Sequence, residues 1–142
     1  MDSPLMNLDL RSPLFYAKVE AMPEEIAEND EFLLCFDLDP GQSRSIEPKP
    51  DLLIGSLVFI GRKSHDSGNS DNSQPETAPL PAGNYLFVQA RSVLSREEWL
   101  DLAVEQQKDG LWERNKLKNR IYVRFLFEDG SFVTQLFRPL AG

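Results

Sequence analysis

The 142-residue sequence predicts an α+β fold in which helices cover one face of an antiparallel sheet. Three patterns support this prediction. Residues 85–91 alternate between small aliphatic and larger side chains, as expected for a half-buried strand. Residues 95–98, Ser-Arg-Glu-Glu, form a capping-box pattern that opens a helix. An Asp-Gly pair at residues 129–130 separates two alternating apolar runs and predicts a tight hairpin.

The composition is that of a globular protein, with 41% apolar residues and a formal net charge of −8. Because an acidic chain repels phosphate backbones, we expect no direct binding of nucleic acid. The densest basic stretch, residues 114–124, spans a loop and a strand start and is not expected to change this. The single cysteine, Cys35, excludes an internal disulfide and is expected to be a small core residue.

Residues 1–12 are expected to form a loosely held arm. They include two aspartates and no long apolar run, so we expect neither a signal peptide nor a membrane span, and a cytoplasmic location by default. No glycine-rich phosphate loop or metal-ligand spacing is recognisable, and we expect no cofactor and no metal. His65 lies in a polar stretch without a partner pattern, which argues against metal binding or acid–base chemistry.

One domain, residues 1–142, is predicted because this length suits a single hydrophobic core. Within it the order of elements indicates a first repeat over about 14–62 and a second repeat over about 80–140. In both repeats the sequence predicts a strand, a helix and two further strands, and the helix of the first repeat is predicted to be short. The polar, low-complexity residues 63–79 are expected to be a surface loop. Two tandem β-α-β-β repeats of this kind can pair into one antiparallel sheet with helices on one face.

The first repeat is predicted from weaker patterns than the second. A short strand is expected at residues 14–21, and a proline followed by acidic residues at 23–28 favours one or two helical turns. Strands are expected at residues 31–38 and 52–60, separated by a proline-containing loop. Gly55 predicts a bulge or a close backbone approach in the later strand.

In the second repeat, Trp99, Leu102 and Ala103 recur at helical spacing and are expected to pack on the sheet. Gly110 is expected to end this helix, and Trp112 to pack in the core or at its rim. The two-residue turn fixes the register of the hairpin. It places Phe127 opposite Phe132, Phe125 opposite Thr134 and Val123 opposite Leu136.

The strand faces that point away from the helix are expected to combine aromatic residues with a few hydrogen-bonding groups. This mixture is typical of a small-molecule site that is mostly apolar with a few orienting polar groups. An ordinary exposed sheet face has the same mixture, and composition alone leaves both interpretations open. No catalytic or metal-binding residue is assigned. The candidate ligand-binding residues are Tyr85, Phe87, Gln89, Tyr122, Arg124 and Phe137.

Several segments together resemble one known family. They are residues 80–85, Leu-Pro-Ala-Gly-Asn-Tyr, the helix that opens at Trp99, the strand that bears Tyr122, and residues 137–140, Phe-Arg-Pro-Leu. The pattern resembles the GyrI-like effector-binding domains, which include stand-alone gyrase-inhibitor-type proteins and the drug-sensing domains of MerR-class activators. The resemblance is best over residues 80–140 and looser over the first repeat.

The resemblance implies two tandem β-α-β-β repeats and a ligand groove at their junction, on the sheet face away from the helices. Members bind lipophilic, often cationic, compounds through aromatic residues and a buried glutamate on the strand after the second helix. In this sequence Arg120 and Arg124 stand where that glutamate would fall. This departure would suit a neutral or anionic ligand.

Three functional hypotheses follow. The first is a stand-alone effector-binding domain that holds a small lipophilic molecule in the helix-free groove. The second is a protein-interaction module of the gyrase-inhibitor type. The third is a hydrolase of reactive drug-like compounds, which by the resemblance needs an acid paired with a tyrosine. Tyr85 and Tyr122 are present but no matching acid is recognisable, so the enzyme hypothesis ranks lowest.

Overall fold

The structure, a computed structural model, describes residues 6–28, 30–64 and 80–141. These residues contain seven strands, two α-helices and a 3₁₀ turn at Gln42–Arg44. The helices are α1 (Pro50–Leu53) and α2 (Arg96–Trp112). The strands are β1 (Met6–Leu10), β2 (Ala17–Lys18), β3 (Asp30–Leu38), β4 (Ile54–Ser64), β5 (Gly83–Ala90), β6 (Arg120–Glu128) and β7 (Ser131–Pro139).

The described strands pair antiparallel into one sheet in the order β1-β5-β7-β6-β3-β4-β2, which confirms the predicted α+β class. From the outside inwards, the second half contributes β5, β7 and β6, and the first half contributes β2, β4 and β3 in the equivalent order. The two halves meet where β3 pairs with β6 at the centre of the sheet. Strand β1 is added at the edge beside β5.

Helix α2 and the hairpin form as their local sequences predict. The Ser95 hydroxyl accepts a hydrogen bond from the Glu98 N–H at 3.3 Å, and the Glu98 carboxylate accepts from the Ser95 N–H at 2.9 Å. Asp129 and Gly130 have φ angles of 52° and 80°, as a type I′ turn requires. The predicted register is confirmed for the pairs Phe127–Phe132, Phe125–Thr134 and Val123–Leu136.

The predicted end of the helix at Gly110 is wrong, because α2 continues for two more residues. The chain then turns through Arg114 at a φ of 65°, whose N–H donates to the Leu111 carbonyl at 2.9 Å, while the Asn115 N–H donates to the Gly110 carbonyl at 3.0 Å. These are the two hydrogen bonds of a Schellman cap. Gly110 is instead needed for close packing, since a methyl group there would collide with the Leu86 side chain.

The core between α2 and the sheet is formed by the predicted strand faces. Trp99, Leu100 and Ala103 are buried against side chains from the central strands, and Leu102 is partly buried beside them. Trp112 is 80% exposed, so the prediction that it packs in the core or at its rim is wrong. It lies in the last turn of α2, beyond the stripe that faces the sheet. The remaining buried members of this core are Phe32, Leu34, Phe36, Leu38, Leu53, Val88, Ile121, Val123, Phe125 and Leu136.

The first half departs further from its predicted elements. Residues 6–10 of the expected arm form β1, because an edge position beside β5 satisfies their backbone groups. Of the strand expected at 14–21, only β2 and an isolated bridge between Leu14 and Leu80 form. Residues 23–28 form no helix, since so short a segment does not offset the cost of helix nucleation.

Strand β4 begins later and ends later than predicted. Pro50 starts α1, which takes up Leu52 and Leu53, and β4 follows directly and extends through Ser64. The bulge predicted at Gly55 is confirmed, because the pairing with β3 shifts at this position. A Cβ at Gly55 would lie 3.0 Å from the carbonyl oxygen of Asp37. Most of the predicted polar loop, residues 65–79 with His65, lies outside the described residues.

Candidate functional site

The sheet face away from α2 holds a second apolar cluster, which we call the aromatic layer. Its rings meet edge to face, a favourable arrangement for aromatic pairs. The ring centroids lie 6.2 Å apart for Tyr85 and Tyr122, 5.7 Å for Tyr85 and Phe137, and 5.1 Å for Phe87 and Phe137. The structure therefore brings four of the six candidate residues together. The buried members of the layer are Tyr16, Leu33, Cys35, Phe59, Leu80, Tyr85, Tyr122 and Phe137.

Residues 8–16, which we call the cover segment, lie against the aromatic layer: Leu8, Leu10 and Leu14 pack on it, and Tyr16 is part of it. Leu14 and Leu80 exchange two backbone hydrogen bonds of 2.9 and 2.6 Å, which fasten this cover segment. The predicted tyrosines Tyr85 and Tyr122 are at most 5% exposed. The described chain therefore closes most of the aromatic layer, and Tyr85 and Tyr122 keep only small exposed edges. Sequence reasoning missed the cover because residues 8–16 lack a long regular pattern.

A buried ion pair lies at one end of the aromatic layer. Arg124 Nε donates to Glu31 Oε2 at 2.8 Å and to the Tyr16 hydroxyl at 3.0 Å, and that hydroxyl donates to Glu31. Arg124 Nη1 also donates to Gln135 Oε1 at 3.0 Å, and Gln135 Nε2 donates to Gln89 Oε1 at 3.0 Å. The predicted residues Arg124 and Gln89 thus belong to one internal hydrogen-bond network.

Glu31 was not recognised from the sequence as a partner for Arg124. Alternation along β3 places Glu31 on the same side as Leu33 and Cys35, which is the side of the aromatic layer. This alternation is the feature of the sequence from which a position for Glu31 beside Arg124 could have been predicted. Glu31 is thus a buried carboxylate on β3, and the guanidinium of Arg124 neutralises it.

The pairing of Glu31 with Tyr16 does not create a catalytic base. Both side chains are almost fully buried, and Tyr16 itself ends the cover segment. Desolvation raises the pKa of the Tyr16 hydroxyl, so it stays protonated at neutral pH. Cys35 in the same layer is buried as predicted, and burial raises the pKa of its thiol to about 11, so it is not a reactive thiolate.

An open pocket of about 430 Å³ lies on the same sheet face, at the opposite end of β3 and β6. We call it the junction pocket because these central strands join the two halves. Its lining includes the predicted tyrosines Tyr85 and Tyr122 together with Asp37, Lys118 and Arg120. The candidates Phe87, Gln89, Arg124 and Phe137 do not line it.

The junction pocket has a positive balance of charge. Arg120 donates through Nε and Nη2 to one Asp37 oxygen at 3.0 and 2.8 Å. The hydrogen bond to Asp37 raises the pKa of Arg120, which therefore stays charged. Lys118 adds a second cation at the exposed rim. The described lining thus has two cations against one carboxylate, in a chain whose net charge is −8.

The two tyrosines supply neutral hydrogen-bonding groups to this pocket. The Tyr85 hydroxyl donates to the Pro81 carbonyl and so fixes the segment that precedes β5. Desolvation raises the pKa of both Tyr85 and Tyr122. Both hydroxyls are therefore protonated at neutral pH and cannot serve as general bases.

Arg138 supports the pocket rim from the opposite face of the sheet. It is buried, and its guanidinium donates to the backbone carbonyl of Lys118 at 2.8 Å, to Gln107 Oε1 at 2.8 Å and to the Ser43 carbonyl at 3.0 Å. Burial lowers the pKa of Arg138 to about 10, so the side chain is still charged at neutral pH. Sequence reasoning missed this anchor because its partners lie on three distant segments.

The comparisons with known proteins do not assign the chain to a family. No protein-family model matches it, and neither a curated protein nor a solved structure matches it. The resemblance to GyrI-like domains therefore stays a prediction. Within the described residues, no group of His, Cys, Asp and Glu side chains could hold a metal ion, and no helix is long and apolar enough to cross a membrane.

Proposed function

We propose that this chain is a small-molecule-binding domain whose ligand occupies the junction pocket. The observation that carries the proposal is the meeting of Lys118 and Arg120 with Tyr85 and Tyr122 around one open cavity. Its volume of about 430 Å³ falls in the range of small-ligand sites. The location also agrees with the groove that the GyrI-like resemblance implies, on the helix-free face at the junction of the halves.

The strand order supports a further part of this proposal, namely that the halves are two copies of one β-α-β-β unit. Strands β5, β7 and β6 occupy the same relative places as β2, β4 and β3. The first copy has lost the helix that corresponds to α2, and residues 19–28 take its place in an irregular conformation. A groove between two such copies is the arrangement of the GyrI-like effector-binding domains.

The lining of the junction pocket favours an anionic ligand. In this it differs from the GyrI-like domains, whose ligands are often lipophilic cations. Arg120 pairs with Asp37, so Lys118 gives the described lining its net positive charge, which repels a cation. Glu31, the buried carboxylate of this face, already pairs with Arg124 at 2.8 Å. A small aromatic carboxylate fits better, because its ring can lie against the tyrosine edges and its charge can face the rim cations.

The charge requirement is testable with benzoate and benzamide, which have nearly the same shape and differ in charge. We expect benzoate to raise the melting temperature and to shift the amide NMR signals of residues 83–85 and 118–120. Benzamide should produce smaller shifts at the same concentration, because it lacks the charge that the rim attracts. Equal responses to both compounds would contradict the anionic ligand class.

Matched lysine variants test the location. Lys118→Glu removes a rim cation and should weaken benzoate binding by about tenfold, or about 1.4 kcal/mol. Lys108→Glu makes the same charge change on α2, outside the pocket lining, and should bind benzoate like the parent protein. If Lys108→Glu weakens binding equally, net charge and not the pocket controls the affinity. If neither compound binds the parent protein, the protein-interaction alternative takes precedence.

A further inference from the structure

A second cavity, of about 530 Å³, lies on the opposite sheet face beside the start of α2. It occupies the region where the helix predicted at residues 23–28 does not form. Residues 22–26 line one side, and residues 93–94 with α2 line the other. We call it the helix-face cavity. It shares no lining residue with the junction pocket among the described residues, so it is a separate candidate site.

The lining becomes more apolar with depth. Leu34, Phe125 and Trp99 are buried and form the floor. Met22, Ile26, Leu94 and Phe132 are half-buried and form the walls. Among the described residues that line the cavity, the ionisable ones are Glu24, Glu25 and Arg96, and all three are exposed at the rim. The interior of the cavity therefore offers aromatic and aliphatic surface without a charged partner.

We propose that the helix-face cavity binds an uncharged lipophilic molecule that contains an aromatic ring. A charged group on the floor would lose its hydration without an ionic partner, which is unfavourable, whereas burying a neutral aromatic ring is favourable. Trp99, Phe125 and Phe132 provide three aromatic surfaces on which such a ring can pack. The rim has two acids, Glu24 and Glu25, against Arg96, and this slightly negative balance disfavours an anion, while no charged lining residue lies on the floor to pair with a cation. This site does not depend on the function proposed for the junction pocket.

The two tryptophans of the chain allow a direct test. Trp99 lines the cavity, whereas Trp112 is exposed at the far end of α2, so Trp112→Phe leaves Trp99 as the single tryptophan. The probe is N-phenylnaphthylamine, an uncharged dye that fluoresces in apolar surroundings and accepts excitation energy from tryptophan. We expect saturable energy transfer from Trp99 to the dye. Absence of saturable transfer would overturn the proposal.

Two exposed valines provide a matched pair of variants in the Trp112→Phe background. Val93 is 47% exposed at the cavity, and Val58 is 44% exposed on β4, outside the cavity. Val93→Glu places a charge at the opening and should weaken dye binding by about tenfold, or about 1.4 kcal/mol. Val58→Glu should leave the affinity unchanged. Equal affinities for the two variants would contradict the location.

Two further measurements test the ligand class and whether the helix-face cavity binds independently of the junction pocket. Anilinonaphthalenesulfonate, an anionic dye of similar size, should bind at least about tenfold more weakly than the neutral dye. Equal binding of the two dyes would contradict the uncharged ligand class. Lys118→Glu, which alters the junction pocket, should leave neutral-dye binding unchanged. A loss of dye binding in this variant would show that the two cavities do not act as separate sites.

Discussion

The two faces of the sheet are both buried, but by different means. On one face, the 17-residue helix α2 covers aliphatic and aromatic side chains that alternate along the strands. On the other face, the largely irregular residues 8–16 cover the aromatic layer, which also contains the Glu31–Arg124 ion pair. Helix α2 adds a few buried hydrogen bonds to its apolar contacts, since Gln106 donates to the carbonyls of Leu86 and Leu136 and Gln107 accepts from Arg138. Both covers therefore combine apolar packing with specific polar contacts, and the irregular cover differs in that its polar contacts include a buried ion pair.

The largest effect is expected where the cover meets the buried ion pair. Arg124→Met removes the guanidinium that pairs with the buried Glu31 carboxylate at 2.8 Å and should lower the free energy of unfolding by about 3–5 kcal/mol. Urea denaturation measures the loss. The control is Arg62→Met, which breaks the more exposed pair with Asp30 and should cost less than about 1 kcal/mol. Similar losses in both variants would mean that burial of the Glu31–Arg124 pair does not matter.

Matched leucine truncations compare the two cores directly. Leu136 packs under α2 and Leu33 packs in the aromatic layer, and both are fully buried. Leu136→Ala and Leu33→Ala should each lower the free energy of unfolding by about 2–5 kcal/mol, because each leaves a cavity. Thermal and urea denaturation measure the loss of stability in each variant. A loss below about 1 kcal/mol for Leu33→Ala alone would show that the cover opens easily in solution.

A smaller effect is expected from loosening the cover segment. Tyr16→Phe removes the hydroxyl that bonds to Glu31 and Arg124 and should cost about 1.5–3 kcal/mol, the range for hydrogen bonds to charged groups. Hydrogen exchange should speed up most at the amides of Leu14 and Leu80, which hold the cover. A uniform change across the sheet would contradict a local role. Phe15→Leu, at the exposed neighbouring position, is the control.

The smallest effect is expected at the start of α2. Ser95→Ala removes the hydroxyl that caps the helix and should cost about 1 kcal/mol at neutral pH, measured by urea denaturation. Hydrogen bonds from Ser95 lower the pKa of Glu98 in the folded state. The stabilisation that the ionised Glu98 carboxylate gives to the folded state is therefore present above the unfolded-state pKa. It is lost as the pH falls through the folded-state pKa. An effect of Glu98→Gln that grows on acidification would contradict this sign.

Local patterns predicted the second half of the fold. The capping box at Ser95, the Asp129-Gly130 turn and the alternation of β5 depend on residues within a few positions of each other. Such signals are readable because the backbone geometry of a helix start or a two-residue turn restricts the residues that fit. They also separated the two faces of the sheet, and so placed Tyr85 and Tyr122 on the face that holds the junction pocket.

Only the tertiary structure determines which parts of the sheet face away from α2 are covered and which are open. Glu31 and Arg124 are 93 residues apart, and Leu14 and Leu80 are also far apart in the sequence, so no local spacing predicts either contact. Arg120 shares a face of β6 with Tyr122, but Lys118 and Arg120 meet Tyr85 only because β7 lies between β5 and β6. Sequence periodicity determines which side of a strand a residue occupies. Whether that side is covered, paired or open depends on which distant segments fold over it, since burial is a property of the assembled sheet.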